Sequence, residues 1–186
     1  MVYSLKILKR LIGALLYKIL KHISLRFLLP EKYNHFIEVL RTKALKLQGA
    51  RIGEGSIVRH DVFIAFPRNL VVGKNVTIGP WSKIFNYEKV IIEDEAELGP
   101  GLHIQTNDHI WNDINMPLGK QGAKYSQIKI GYGVYFGANV TILQGCVIEK
   151  LCVVAAGAVI TKNLQTGFLY AGIPAKAIQQ IKENKS

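Results

Sequence analysis

Hydrophobic residues recur with a period of six through the C-terminal half of the chain. From Ile130 to Ile160 a large apolar residue occupies every sixth position, and a smaller one follows four positions later. That period fits neither an α-helix nor an alternating strand. It predicts a solenoid, in which short strands meet at tight corners and equivalent positions stack from coil to coil. The large residues are Ile130, Phe136, Ile142, Ile148, Val154 and Ile160. The smaller residues are Val134, Val140, Cys146, Cys152 and Ala158.

The same register extends towards the N-terminus in three groups of three hexads. Each group would make one triangular coil, and the steps between groups are longer than six residues. All three insertions therefore fall at one corner, and insertions that share a corner map to loops on one face, often the binding face. The groups are Ile52, Val58 and Ile64; Val72, Ile78 and Ile84; and Ile92, Leu98 and Ile104.

Two polar side chains stand in these insertions. The longest insertion, predicted as a protruding loop over residues 105–129, contains His109, and the insertion one coil earlier contains Asn86. Neighbouring strands lie about 5 Å apart. We therefore expect His109 and Asn86 to reach one small substrate.

Residues 1–29 form a basic amphipathic segment without a single acidic residue. Charges interrupt the segment too often for a membrane-spanning helix. The pattern favours a helix lying on an anionic membrane surface, with packing against the domain or a sister subunit as the alternative. The apolar side comprises Leu5, Leu8, Leu11, Ile12, Leu15, Leu16, Ile19 and Ile23, and the side roughly opposite comprises Lys6, Lys9, Arg10, Gly13, Tyr17 and Lys21.

The chain divides into a helical segment, residues 1–50, and a β-helix domain, residues 51–186. Pro30 is predicted to end the first helix, and a second amphipathic helix should run to Gly49 and cover the open end of the first coil. A short polar helix is predicted at the C-terminus. The fold class is therefore all-β, a parallel β-helix of hexapeptide repeats with helices at both ends.

Charge and cysteine content narrow the function classes. The net charge is +11, but residues 1–50 carry ten of the 24 Lys and Arg residues and two of the 13 acidic residues, so the basic character belongs to that segment. No nucleic-acid-binding motif or aromatic-studded basic face is present, which argues against a nucleic acid partner. Cys146 and Cys152 occupy inward positions and predict buried thiols in a reducing compartment rather than a disulfide or a metal site.

The hexapeptide repeats, the His-bearing loop and the ending Ala171-Gly-Ile-Pro-Ala-Lys-Ala-Ile178 together resemble the left-handed β-helix acyltransferases over residues 45–180. Within that family the resemblance is to sugar O-acetyltransferases of the maltose, galactoside and capsular-polysaccharide type. It implies left-handed coils, a homotrimer with active sites between subunits, acetyl-CoA as acyl donor and a saccharide acceptor. Together with the basic first helix, it leads us to expect a cytoplasmic enzyme, peripheral on the inner membrane face and active in surface-polysaccharide biosynthesis.

The chemistry and the resemblance both point to His109 as the general base. Transfer to a sugar hydroxyl requires removal of a proton as the oxygen attacks the thioester, and an imidazole suits this task because it titrates near neutral pH. Asn86 matches an asparagine beside the acceptor, where an amide could hold the hydroxyl or the developing oxyanion, although its turn propensity explains it nearly as well. His103 is the competing base. Asp108, Asp113 or a backbone carbonyl could orient the imidazole.

The acyl-CoA positions of the family fall on Ala138, Ala156, Thr161, Lys162 and Lys176. Small side chains there would leave the backbone accessible to the pantetheine arm. Lys176 would meet the CoA phosphates as a point charge. No metal is expected.

Three alternatives remain open. The same scaffold and base could transfer an acyl group to the amine of an amino sugar nucleotide. A γ-class carbonic anhydrase would need three histidines around a metal, and no third histidine is evident beside His103 and His109. A non-catalytic scaffold would follow if His109 lay outside any cleft.

Overall fold

The computed structural model describes residues 2–22 and 31–182, with side chains described from residues 5 and 33 onwards in the two ranges. Within these residues, two helices precede a solenoid of five complete coils with three strands each. The predicted register is confirmed, because every large apolar marker and every smaller partner from Ile52 to Ile160 is buried. Burial of each large side chain contributes about 1.5–3 kcal/mol, so the stacked interior stabilises the solenoid.

The strands are short and follow the hexads. Coil 1 contains β1 (Arg51–Ile52), β2 (Ile57–Val58) and β3 (Phe63–Ile64), and coil 2 contains β4 (Leu70–Val72), β5 (Thr77–Ile78) and β6 (Lys83–Phe85). Coil 3 contains β7 (Val90–Ile92), β8 (Glu97–Leu98) and β9 (His103–Gln105), followed by a hairpin of β10 (Asn107–His109) and β11 (Ala123–Tyr125). Coil 4 contains β12 (Ile128–Ile130), β13 (Tyr135–Phe136) and β14 (Thr141–Ile142), and coil 5 contains β15 (Val147–Ile148), β16 (Val153–Val154) and β17 (Val159–Ile160). The last strands are β18 (Phe168–Ala171) and β19 (Lys176–Gln180).

Equivalent strands of successive coils pair in parallel and form the three faces of a prism. Face A is the sheet β1-β4-β7-β12-β15, face B continues through β2, β5, β8, β13, β16 and β18, and face C is β3-β6-β9-β14-β17. This arrangement confirms the predicted parallel β-helix of the left-handed, hexapeptide-repeat class. Two prism edges matter below: the B–C edge, where the chain passes from face B to face C, and the C–A edge, where it passes from face C to face A.

The C-terminal residues differ from the prediction. The polar helix predicted after Ile178 is not observed over residues 179–182; Gln179 and Gln180 belong to β19, which pairs antiparallel with β18. The last strand of face B would otherwise present a row of unpaired backbone groups. The chain reverses at Gly172, which has φ +94°, and supplies those partners. The tertiary need for pairing outweighs the local helical preference.

The two helices pack closely against each other. α1 spans Val2–Leu20 and α2 spans Glu31–Gln48. A Cβ atom on Gly13 would lie 2.7 Å from Leu47 Cβ and 2.8 Å from Ala44 O, so glycine is required for this approach. The predicted end of the first helix at Pro30 lies outside the described residues.

α1 contacts the rest of the protein through an unexpected side. It buries Gly13 and Tyr17, which belong to the side that the sequence pattern marks as polar. The predicted apolar face points away from the protein and is exposed at Leu5, Leu8, Leu11, Ile12, Leu15, Leu16 and Ile19. None of the described helices is long and apolar enough to cross a membrane.

Hydrogen bonds fix both helices to the first coil. Tyr17 Oη donates to the Val62 carbonyl at 2.7 Å. The buried Arg41 guanidinium of α2 donates to the carbonyls of Leu20 at 3.0 Å and Val58 at 3.2 Å. Because these donors reach α1 and coil 1 together, α1 has a defined position on the solenoid.

Candidate functional site

The three insertions share one edge of the prism, as predicted. β3, β6 and β9 all lie in face C, and each insertion leads from one of them to a strand of face A. The loop over residues 105–129 is built around the antiparallel pair β10–β11, in which Asn107 faces Tyr125 and His109 faces Ala123. The hairpin therefore projects from the C–A edge at coil 3.

His109 lies at the end of β10 with an exposed side chain. Its backbone N–H donates to Asp108 Oδ1 at 2.9 Å, and Asp113 Oδ1 accepts from the Asn115 N–H at 2.8 Å. Within the described residues, neither carboxylate is hydrogen-bonded to the imidazole. The ring is therefore accessible from solvent, and the group that orients it stays a prediction.

Asn86 has a structural role in this chain. Side chains alternate along a strand, so that Ile84 points inwards, Phe85 outwards and Asn86 inwards. Asn86 is 0 % exposed; its Oδ1 accepts from the Phe66 N–H at 2.9 Å and its Nδ2 donates to the Phe66 carbonyl at 2.7 Å. A contact with substrate would require both bonds to break. Its catalytic role stays an untested prediction that the geometry disfavours.

An aromatic ladder, defined here as Phe66, Tyr87 and Tyr125, follows the C–A edge. The ring centroids of Phe66 and Tyr87 are 5.1 Å apart, and those of Tyr87 and Tyr125 are 6.0 Å apart. All three rings are exposed. The ladder reaches the hairpin that carries His109, because Tyr125 lies on β11. Hexapeptide periodicity misses these residues since they stand in the insertions.

The competing histidine lies on the outer surface of face C. His103 alternates with the buried Ile104 in β9, and its ring is 5.4 Å from that of Phe85. Phe85 in turn lies 5.3 Å from Phe63. His103 therefore belongs to a packed aromatic surface rather than to the hairpin.

The predicted donor residues surround the end of the solenoid. Ala138 and Ala156 follow β13 and β16 at the B–C edge, where Gly157 N donates to the Ala138 carbonyl at 2.8 Å. Lys176 faces Ala171 in the β18–β19 pair beside the same edge. Thr161 and Lys162 follow β17 at the C–A edge and are exposed. In one chain, face C separates Ala138, Ala156 and Lys176 from His109.

A polar groove of about 560 Å³ lies between α2 and face B and extends to the B–C edge at Gly79 and Gly99. Its lining contains the ion pair of Arg59 and Glu38, with Nη1 and Oε1 2.7 Å apart. It also contains His35, His60, Glu97 and Tyr135. The sequence pattern does not predict this groove because α2 forms one of its walls.

His60 at this groove hydrogen-bonds Asp61, which also contacts His22 at the end of α1. Partial burial raises the pKa of the Asp61 carboxyl, but the hydrogen bonds with His60 and His22 outweigh burial, and the pKa lies below its ordinary value. Asp61 therefore stays ionised and holds both imidazoles in place.

Both thiols lie inside the solenoid. Cys146 and Cys152 are buried and free, as predicted, and burial raises the pKa of the Cys152 thiol to about 11. Within residues 2–22 and 31–182, no group of three or more His, Cys, Asp or Glu side chains is arranged to hold a metal ion.

Comparison with known proteins shows a matching repeat and similar acetyltransferases. The model of the bacterial transferase hexapeptide (six repeats) matches residues 127–162. The galactoside O-acetyltransferase of Escherichia coli (strain K12) is 28% identical over 153 residues, which cover 81% of this chain and 74% of that protein. The chain therefore carries the bacterial transferase hexapeptide repeat and is similar to acetyltransferases over most of its length. The predicted enzyme class, an acyltransferase, is thereby confirmed.

Solved structures agree with this family. The chain superposes on a galactoside acetyltransferase in complex with coenzyme A with a TM-score of 0.76 and 26% identity, covering 95% of this chain and 82% of the other. A maltose O-acetyltransferase from Clostridium difficile 630 gives a TM-score of 0.75 at 24% identity, covering 96% and 89%, which supports the fold. The superposed part covers nearly the whole chain in both cases.

Proposed function

We propose that this protein is an acetyl-CoA-dependent O-acetyltransferase that acts on a saccharide hydroxyl as a homotrimer. The related galactoside O-acetyltransferase and the coenzyme A complex of a galactoside acetyltransferase support the donor and the acceptor class. The structural observation that carries the proposal is the exposed imidazole of His109 on a hairpin that projects from the prism.

The separation of the predicted half-sites supports an assembly of more than one chain. A passage from Ala138 at the B–C edge across face C to the C–A edge takes about five residues, or roughly 16 Å at about 3.3 Å per residue. In a cyclic assembly, the C–A edge of one subunit meets a different edge of its neighbour. Each cleft would then contain His109 from one subunit and the donor residues with the polar groove from the next.

The proposed reaction needs one base and no metal. The His109 imidazole accepts the proton of the acceptor hydroxyl while the hydroxyl oxygen attacks the thioester carbonyl. The new C–O bond forms, the tetrahedral intermediate collapses, and the C–S bond breaks. The imidazolium then returns the proton to the departing CoA thiolate, so that the products are an acetyl ester and free CoA.

The donor would lie along the end of the solenoid. Ala138 and Ala156 leave backbone groups accessible to the pantetheine arm, and the Lys176 ammonium would bind a CoA phosphate. Thr161 and Lys162 would contact the donor from the far end of β17. No oxyanion donor is assigned, because the Asn86 amide is buried and hydrogen-bonded to the backbone of Phe66.

Exchange of His109 for Gln tests the proposed base. We expect acetyl transfer, measured as CoA release with a galactoside, a maltoside and an amino sugar as acceptors, to fall about 10²–10⁴-fold. The melting temperature should not change, since the side chain is exposed. His103→Gln serves as the control and should retain transfer; a loss with His103→Gln and retention with His109→Gln would move the base to His103. Preference for the amino sugar would favour N-acyl transfer.

We also propose that the enzyme attaches to the inner membrane face through α1 and acts in surface-polysaccharide biosynthesis. The exposed apolar face of α1 is unpartnered among the described residues, and Lys9 and Lys18 flank it at helical spacing. An interfacial helix has this arrangement, with apolar side chains in the lipid and lysines at the headgroups. Attachment would place the enzyme beside membrane-linked saccharides.

Cosedimentation with phosphatidylglycerol-containing vesicles tests this attachment. The double variant Leu8→Gln/Leu15→Gln should lose vesicle binding and keep its melting temperature, because both side chains are exposed. The control Leu118→Gln removes an equally exposed leucine from the hairpin loop and should bind as the unmodified protein does. Unchanged binding of the double variant would refute attachment through α1.

A further inference from the structure

A second groove, of about 500 Å³, lies where α1 meets the first insertion of the C–A edge. Its walls are mainly apolar, and Arg10 and Arg68 contribute its cationic groups. No acidic residue lines it. The remaining lining residues are Ile7, Leu11, Ala14, Gln48, Ala65, Phe66, Pro67 and Asn69.

The two guanidiniums are available to an anion. Neither Arg10 nor Arg68 forms an ion pair with another described residue. The Arg68 stem packs on Gly49, where an added Cβ would lie 3.0 Å from Arg68 Cγ, and this contact limits its conformations. Arginine binds phosphate through paired N–H groups, and an apolar wall strengthens that interaction by excluding water.

The groove is continuous with two surfaces already described. Phe66 is both a lining residue and the first ring of the aromatic ladder that leads to the His109 hairpin. Ile7 and Leu11 line the groove, and Leu11 also belongs to the exposed apolar face of α1. Asn69 Nδ2 donates to the Tyr87 carbonyl at 2.7 Å and connects the groove wall to the ladder. A cationic groove therefore adjoins the aromatic ladder through Phe66 and the apolar face of α1 through Leu11.

We propose that this groove binds the phosphate of an amphipathic acceptor, in which a saccharide is joined through phosphate to an apolar chain. Arg10 and Arg68 bind the phosphate oxygens. The saccharide extends over the ladder, where aromatic faces stack on sugar rings, towards His109. The apolar chain extends along the exposed face of α1. This inference rests on the proposed acetyl transfer to a saccharide and adds the chemical class of its carrier.

Direct binding to the full chain tests the proposal without any measurement of acetyl transfer. Farnesyl pyrophosphate, inorganic pyrophosphate and farnesol serve as probes in isothermal titration calorimetry. We expect farnesyl pyrophosphate to bind at least about tenfold more tightly than either other probe. Arg10→Gln and Arg68→Gln should each weaken that binding about tenfold or more, since charge-assisted hydrogen bonds are lost.

Lys43→Gln removes an exposed cation on α2 outside the groove and should change the affinity less than about twofold if the effect is local. Equal losses in all three variants would overturn the proposal in favour of diffuse charge attraction. Equally tight binding of inorganic pyrophosphate would show that the groove binds phosphate without the apolar chain, and would overturn the proposed amphipathic acceptor. Unchanged binding in both arginine variants would also overturn the proposal.

Because the readout is binding, an inactive enzyme in every acetylation assay would refute the proposed function and leave this result interpretable.

Discussion

At the residue scale, two successive residues at the C–A edge point in opposite directions and have different roles. Phe85 faces outwards and joins an aromatic surface, while Asn86, the next residue, turns inwards and binds both backbone groups of Phe66. The neighbouring coil repeats the pattern, because Thr106 is buried and its Oγ1 accepts from the Glu88 N–H at 2.9 Å. Buried polar side chains thus satisfy the backbone where the insertions leave the prism.

Exchange of Asn86 for Ala distinguishes the structural role from the catalytic one. Two buried backbone groups of Phe66 would lose their partners, so the free energy of unfolding should fall by about 2–4 kcal/mol. The kcat and KM of the folded enzyme should change less than about threefold, measured below the new unfolding transition. Asn112→Ala, an exposed amide in the hairpin, should leave stability unchanged. A large loss of kcat with full stability would restore the catalytic assignment.

At the scale of the elements, α1 and the hairpin add surfaces that the solenoid alone does not have. α1 is held by the close approach at Gly13 and by the Tyr17 hydrogen bond to coil 1. Because α1 packs through the side that contains Gly13 and Tyr17, its apolar side chains face outwards. The membrane proposal and the phosphate groove both depend on this packing.

Gly13→Leu should displace α1 from α2, because Leu47 Cβ and the Ala44 carbonyl already occupy the space of a larger side chain. We expect a loss of about 2 kcal/mol in stability and rapid amide exchange in α1, while faces A to C keep their protection. Ala14→Leu, at the adjacent exposed position, is the control and should preserve slow exchange in α1. Equal protection in both variants would contradict the observed helix packing.

The sequence predicts elements that repeat and misses those that depend on tertiary contacts. The hexads from Ile52 to Ile160 determine strand positions, burial and the shared corner, because each position stacks on its own equivalent. β19 could not be predicted, since its pairing satisfies an edge that exists only after β18 forms. The packed side of α1 also escaped prediction, because Gly13 and Tyr17 pack through close contact and one hydrogen bond rather than through a hydrophobic stripe. The burial of Asn86, by contrast, follows from simple strand alternation after Ile84.

At the scale of the whole molecule, the prism distributes the proposed site over two edges. His109 and the aromatic ladder lie at the C–A edge, whereas Ala138, Ala156 and Lys176 lie at the B–C edge. A rigid solenoid cannot bring these edges together, because face C is a continuous hydrogen-bonded sheet between them. The proposed transfer from donor to acceptor would therefore combine the two edges of neighbouring chains.

Subunit complementation tests this shared site most directly. His109→Ala removes the base, and Ala156→Trp fills the donor edge at an exposed position; each variant alone should be inactive. In mixed trimers from coexpression with two affinity tags, one of the three clefts, roughly a third of the total, combines an intact hairpin with an intact donor edge. We predict recovery of about that fraction of the original CoA release. Mixed trimers that remain inactive would contradict a site shared between neighbouring chains.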